Sequence, residues 1–139
     1  MLFLLAVLAS QTTSPATTCP GGLTPAPGAP CPALVFFDSS RAEITRDAAK
    51  TLDEVLASWR QGGFSRVTLT GHSDRSGPAG ANADTARRRA DAVRSWLTER
   101  GVPLRSITVQ SLGEDQPLIS TANGVREPQN RRVDVRLEQ

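Results

Sequence analysis

From Ala33 onward the chain switches between two periods of apolar residues. "ALVFF" (33–37) is a short continuous apolar run, as in a buried strand. Thr45 then predicts a helix cap, with Asp47 in the first turn, where a negative charge suits the helix dipole. Ala48, Leu52, Val55, Leu56 and Trp59 recur at helical spacing, and "QGG" ends the run. "RVTLTGH" alternates, with Val67 and Leu69 on one side and Arg66, Thr68 and Thr70 on the other, which is the pattern of a half-buried strand. A loop from Ser73 to about Asn82 leads to a second helix, predicted from about Ala83 to Arg100 and stopped by Gly101. "SITVQSL" predicts a third strand. Gly113 to about Gln129 reads as a long loop holding Pro117, Gly124 and Pro128. "RRVDVRLEQ" closes the chain with Val133, Val135 and Leu137 alternating against Arg132, Asp134 and Arg136.

The order is β-α-β-α-β-β. Alternating strands imply a sheet with one wet face, so amphipathic helices must cover the other. The expected class is α/β, as a two-layer α+β sandwich with a mixed sheet over residues 33–139.

The 32 residues before it differ in kind. Residues 1–37 contain no charged side chain at all. "MLFLLAVLAS" is apolar but shorter than the roughly 20 residues that cross a bilayer. Followed by small polar residues, it predicts a secretory signal peptide over 1–18, although the usual positive start is missing. Residues 19–32, "CPGGLTPAPGAPCP", are too rich in Pro and Gly for helix or central strand and read as a linker. Cys19 and Cys31 lie twelve positions apart. In an oxidising compartment they close a small disulfide loop, which is the preferred reading. The rival is acylation of Cys19, and only then does the chain contact a membrane.

Charge narrows the partners. The formal net charge is +2, too small to imply nucleic acid, and there is no tyrosine to stack on bases. Of the 16 basic residues, only Lys50 is a lysine. Two cysteines and one distant histidine make a poor zinc set, so neither metal nor cofactor is expected. His72, Ser73, Asp74 and Ser76 supply the residue types of a hydrolytic triad. They crowd one strand end, however, without the glycine-flanked nucleophile turn, so catalysis is not expected.

One charge is misplaced. Ala86, Ala90, Val93, Trp96 and Leu97 form the apolar stripe of the second helix, and Arg89 belongs to that stripe. A guanidinium cannot shed its charge, so one leaning toward a sheet needs an anion. Asp74 ends the second strand and Asp38 the first. If those strands run parallel, both carboxylates open at the edge that receives this helix's N-terminus, a place ligands favour in α/β sheets. Two readings stay open. Arg89 closes a structural ion pair with Asp74 or Asp38, leaving a structural or protein-interaction domain. Alternatively the charges stand apart and a zwitterionic ligand completes them.

"VFFDSSRAEIT", "TGHSDRSGPAGANADTARRRADAVRSWL", "GEDQP" and "NRRVDVRL" together resemble the successive signatures of the OmpA-like peptidoglycan-associated domain, found in OmpA-type proteins and Pal lipoproteins. The resemblance runs from about Ala33 to Leu137. It implies a periplasmic, wall-associated or outer-membrane-associated module of a Gram-negative bacterium, secreted or lipid-anchored. Such a module holds the stem peptide of meso-diaminopimelate peptidoglycan non-covalently, without catalysis, and other envelope proteins are possible partners. It implies Asp74 for the ligand's ammonium, Arg89 for its carboxylate, and Asn82 as a frame. Asp38, Ser39, Ser40 and Ser76 are further contacts, with Thr85, Asn130 and Arg131 in support. Thr85 and Ala86 stand where many members have Leu-Ser, and Ser111 and Leu112 where many have an aromatic between glycines.

Overall fold

The computed structural model describes residues 18–139. The signal-peptide expectation falls almost wholly on residues 1–17, outside the described residues.

Four strands and two helices follow in the order β1 (Ala33–Phe36), α1 (Arg46–Gln61), β2 (Arg66–His72), α2 (Ala79–Glu99), β3 (Ile107–Gly113) and β4 (Arg132–Glu138). Thr45 caps α1 by accepting the Ala48 amide at 3.1 Å, and Gly62, at φ 92°, stops it. The sheet order is β1-β4-β2-β3. β4 runs antiparallel to both β1 and β2, and β2 runs parallel to β3. β1 and β2 therefore point the same way without touching, with the last strand between them.

The core lies between the helices and one sheet face. Val35, Val67, Leu69, Val133, Val135 and Leu137 meet Leu52, Val55, Leu56, Val93, Trp96 and Leu97. Gly71 fixes the closeness of α2, since a Cβ there would collide with the Ala86 carbonyl. On the opposite face His72 Nε2 lies 3.0 Å from Asp134 Oδ2, and Arg132 Nε donates to Asp134 Oδ1 at 2.8 Å.

Two expectations shift. Helix α2 begins at Ala79, four residues earlier than expected, so "GPAGAN" is not all loop. Pro78 enters at φ −59°, the Asn82 amide reaches its carbonyl, and the Asn82 side chain donates back to the Gly77 carbonyl. These contacts outweigh the glycine and absent cap that argued for a loop. Residues 19–32, read as a linker, carry the disulfide and touch the domain at several points. Cys19 is buried and bonded to Cys31, Gly21 sits against Leu118 and Leu34, and Gln139 Nε2 donates to the Gly28 carbonyl.

Candidate functional site

Because β1 and β2 share a direction, their C-terminal ends open at one edge. β4 starts there, as does the loop into α2. Four segments meet: 38–41 after β1, 72–76 after β2, the first turns of α2, and 127–131 before β4.

Arg89 sits where its stripe predicted, beneath this edge and only 1% exposed. Its partners are not carboxylates. Nε donates to the Arg41 carbonyl at 2.9 Å, Nη1 to the His72 carbonyl at 3.2 Å, and Nη2 to the Asp38 carbonyl at 3.1 Å. The Phe37 ring packs 5.6 Å from the guanidinium carbon. The Arg89–Asp74 and Arg89–Asp38 ion pairs are therefore corrected. Asp38 gives its backbone oxygen, and its side chain is exposed. The physical reason is geometric: three carbonyls at the ends of β1 and β2 converge on one planar fork. Two of them flank Ser40, which holds φ 55°, a left-handed backbone that costs a non-glycine residue roughly 1–3 kcal/mol. Burial of the guanidinium, then repulsion from Arg131, lower the Arg89 pKa to about 10, while Asp74 pulls the other way.

Asp74 is buried and crowded with donors. Oδ1 accepts the Ser76 hydroxyl at 2.6 Å and the Ser76 amide at 3.1 Å. Oδ2 accepts the Glu127 amide at 3.2 Å and Arg131 Nη1 at 3.3 Å. Burial alone would raise this carboxyl's pKa, but the Ser76 hydroxyl and amide, the Glu127 amide and Arg131 more than offset it, so it stays below the ordinary carboxylate value.

Arg131, expected as a support, reaches the chain just beyond both β1 and β2. It pairs with Asp74 and also donates from Nε to the Phe37 carbonyl at 3.1 Å. Its importance follows from β4 lying between β1 and β2, and the alternation of β4 gave no hint of that order. Asn130 is fully buried and clasps the Ile119 backbone twice, at 2.9 and 2.8 Å. Asn82 Nδ2 ties the Gly77 carbonyl to Glu114 Oε2 at 2.7 Å, framing the loop. Thr85 turns along its helix to the Ala81 carbonyl, and with Ser40 it lines an open cleft at the start of α2. Ser39 is half-buried in the strained turn, and Ser76 is exposed with its hydroxyl on Asp74. His72 faces Asp134 across the sheet, and neither Ser73 nor Ser76 hydrogen-bonds its ring.

The site is one buried anion held among two cations, with an exposed carboxylate at Asp38. Arg89 has five N–H donors, and three are committed, leaving one on each terminal nitrogen. A ligand carboxylate can accept from these two N–H groups, while a ligand cation can meet a carboxylate of the same site.

Residues 36–131 match the sequence profile of the OmpA family. An outer membrane protein of Gluconacetobacter diazotrophicus is 37% identical over 118 residues, covering 78% of this chain and 31% of that protein. The peptidoglycan-associated lipoprotein of Rhizobium meliloti is 36% identical over 87 residues, covering 60% of this chain and 48% of that protein. The chain thus spans less than two thirds of such relatives. Among solved structures, the peptidoglycan-associated lipoprotein from Burkholderia pseudomallei superposes with a TM-score of 0.65 at 26% identity, covering 76% of this chain and 90% of that one. With the profile matching most of the folded domain, this chain belongs to the OmpA family.

Proposed function

We propose that this protein is a non-enzymatic anchor that binds the peptide stem of peptidoglycan through the amino-acid centre of diaminopimelate. The observation that carries it is the buried Asp74 between Arg131 and Arg89 at the edge shared by β1 and β2. Relatives named as peptidoglycan-associated lipoproteins support the wall as the target. They also support a place in the periplasm, at the outer membrane or wall of a Gram-negative cell.

The ligand's carboxylate meets the uncommitted N–H groups of Arg89. Its ammonium meets Asp74 by displacing the hydroxyl of exposed Ser76, with Asp38 as a second carboxylate at the rim. A stem built on lysine lacks the second carboxylate and leaves Arg89 without its partner. The contact involves few atoms and replaces existing bonds, so affinity for one stem is modest, and many stems on one polymer supply avidity.

The test is a titration of meso-diaminopimelate into the protein, followed by backbone amide NMR, with lysine as control. Saturable shifts at Asp74, Asn82 and Arg89 with the first ligand alone are expected. Asp74→Asn should also release the protein from pelleting with purified walls.

A second reading has its own observation: Asp74 is already paired with Arg131. On that reading the domain is structural or binds a protein, and the pair simply pins the loop before β4. Failure of the wild-type protein to pellet with purified walls, with no shift on diaminopimelate, would select it.

A further inference from the structure

A second concavity lies beside this site. It occupies about 380 Å³ between the end of β1, the first turn of α1 and the turn that precedes β4. That volume is in the range of small-ligand sites. Phe36, Ala48 and Pro128 give it apolar walls, and Asp47 and Gln129 stand among them. Phe36 is 43% exposed, the only aromatic among the large exposed apolar side chains of the described residues. The side chains of Asp47, Asp38 and Gln129 take no hydrogen bond among the described residues; only their backbone groups or neighbours do. An exposed ring beside idle acceptors and an idle amide is a surface without its partner.

The charges limit what that partner is. Asp38, Asp47 and Arg131 border the concavity; Arg131 is already paired with Asp74, and the two carboxylates repel those of an acidic peptide. A neutral ring rich in hydroxyls suits them, since each hydroxyl donates to a carboxylate while the ring's apolar face covers Phe36. Asp38 and Arg131 also border the zwitterion site, so one polymer reaches both.

We propose that this concavity is a sugar subsite, taking one neutral N-acetylated hexose of the glycan strand. Phe36 is its platform, and Asp47 and Gln129 are its hydrogen-bonding groups. The proposal rests on the wall-binding reading and adds to it a second chemical group of the same polymer.

Two ligands separate the claims. The β1,4-linked tetramer of N-acetylglucosamine carries no peptide, and meso-diaminopimelate carries no sugar. Each is titrated into the protein and followed by amide NMR. The tetramer should shift Phe36, Asp47 and Gln129 saturably and leave Ser73 to Ser76 in place, and diaminopimelate should do the reverse. Phe36→Ala should weaken the tetramer at least about tenfold, a change of about 1.4 kcal/mol, and leave diaminopimelate binding unchanged. Gln129→Ala, away from any strand, should weaken it in the same sense. No saturable shift with the tetramer, while diaminopimelate binds, overturns the subsite alone. Equal tetramer binding by wild type and both variants overturns its placement. Tetramer binding without diaminopimelate binding keeps the subsite and removes the zwitterion reading.

Discussion

Replacing Arg89 by leucine keeps an apolar stem in the α2 stripe and deletes the guanidinium. Three charge-assisted hydrogen bonds vanish, to the carbonyls of Arg41, His72 and Asp38. At about 2 kcal/mol each they amount to roughly 6 kcal/mol. Against that, the charge is no longer buried. The lowering of its pKa to about 10, by burial first and then by repulsion from Arg131, corresponds to a cost of about 3 kcal/mol for keeping the charge there. The difference is a net loss of about 3 kcal/mol, a large part of the 5–15 kcal/mol that holds a typical domain together. At roughly 4 °C per kcal/mol, the melting temperature should drop by about 12 °C. Urea unfolding followed by the fluorescence of Trp59 and Trp96 reads this directly. Arg89→Lys should recover only part of the loss, because one ammonium cannot serve three divergent carbonyls. An Arg89→Leu curve that overlays wild type would refute the reasoning. It would mean that the guanidinium does not brace the loops after β1 and β2.

Asp74 and Asp134 both titrate below the ordinary carboxylate range in the folded chain, so protonating them favours the unfolded chain. Stability should hold above about pH 4 and fall progressively below it; Asp74→Asn should flatten that acid limb, and an unchanged limb would show that Asp74 gains nothing from its four donors. Ser76→Ala removes a donor that competes with a ligand ammonium, so diaminopimelate affinity should hold or rise, while a tenfold loss in the same titration would make Ser76 a ligand contact. Reducing the Cys19–Cys31 bond, which spans 12 positions, should lower the melting temperature through the loss of up to about 3 kcal/mol, as calorimetry with and without dithiothreitol would reveal. No change on reduction would mean that the docked loop is held by its packing on Leu118 and Leu34 alone.

The elements of this fold were legible where periodicity was clean. Ala48, Leu52, Val55 and Leu56 are all buried on α1, as their spacing requires. Arg89 was legible for the same reason: a charge on an apolar stripe stands out. Its partners were not, because backbone carbonyls carry no side-chain signature, and an arginine searching for an anion looks in sequence like an arginine bound to three peptide groups. The start of α2 was hidden by Gly77 and Gly80, which spoke for a loop. Only the bonds made by Asn82 show why the helix begins at Ala79. The partners of Arg131 were not legible, because alternation marks a strand without giving its neighbours. Once β4 is known to lie between β1 and β2, the residue at its entrance has to face the ends of both.

That arrangement has a consequence for the timing of folding. The contacts that build the site join residues 48, 53, 57 and 94 positions apart. The strand that joins β1 to β2 is the last segment of the domain to be synthesised. Until residues 132–138 arrive, β1 and β2 have no common neighbour, Arg131 has no anion, and Arg89 lacks the register that brings its three carbonyls together. Long loops must close before any of these contacts repays them. A chain still being synthesised therefore lacks this arrangement of charges, which forms only when the whole domain is complete.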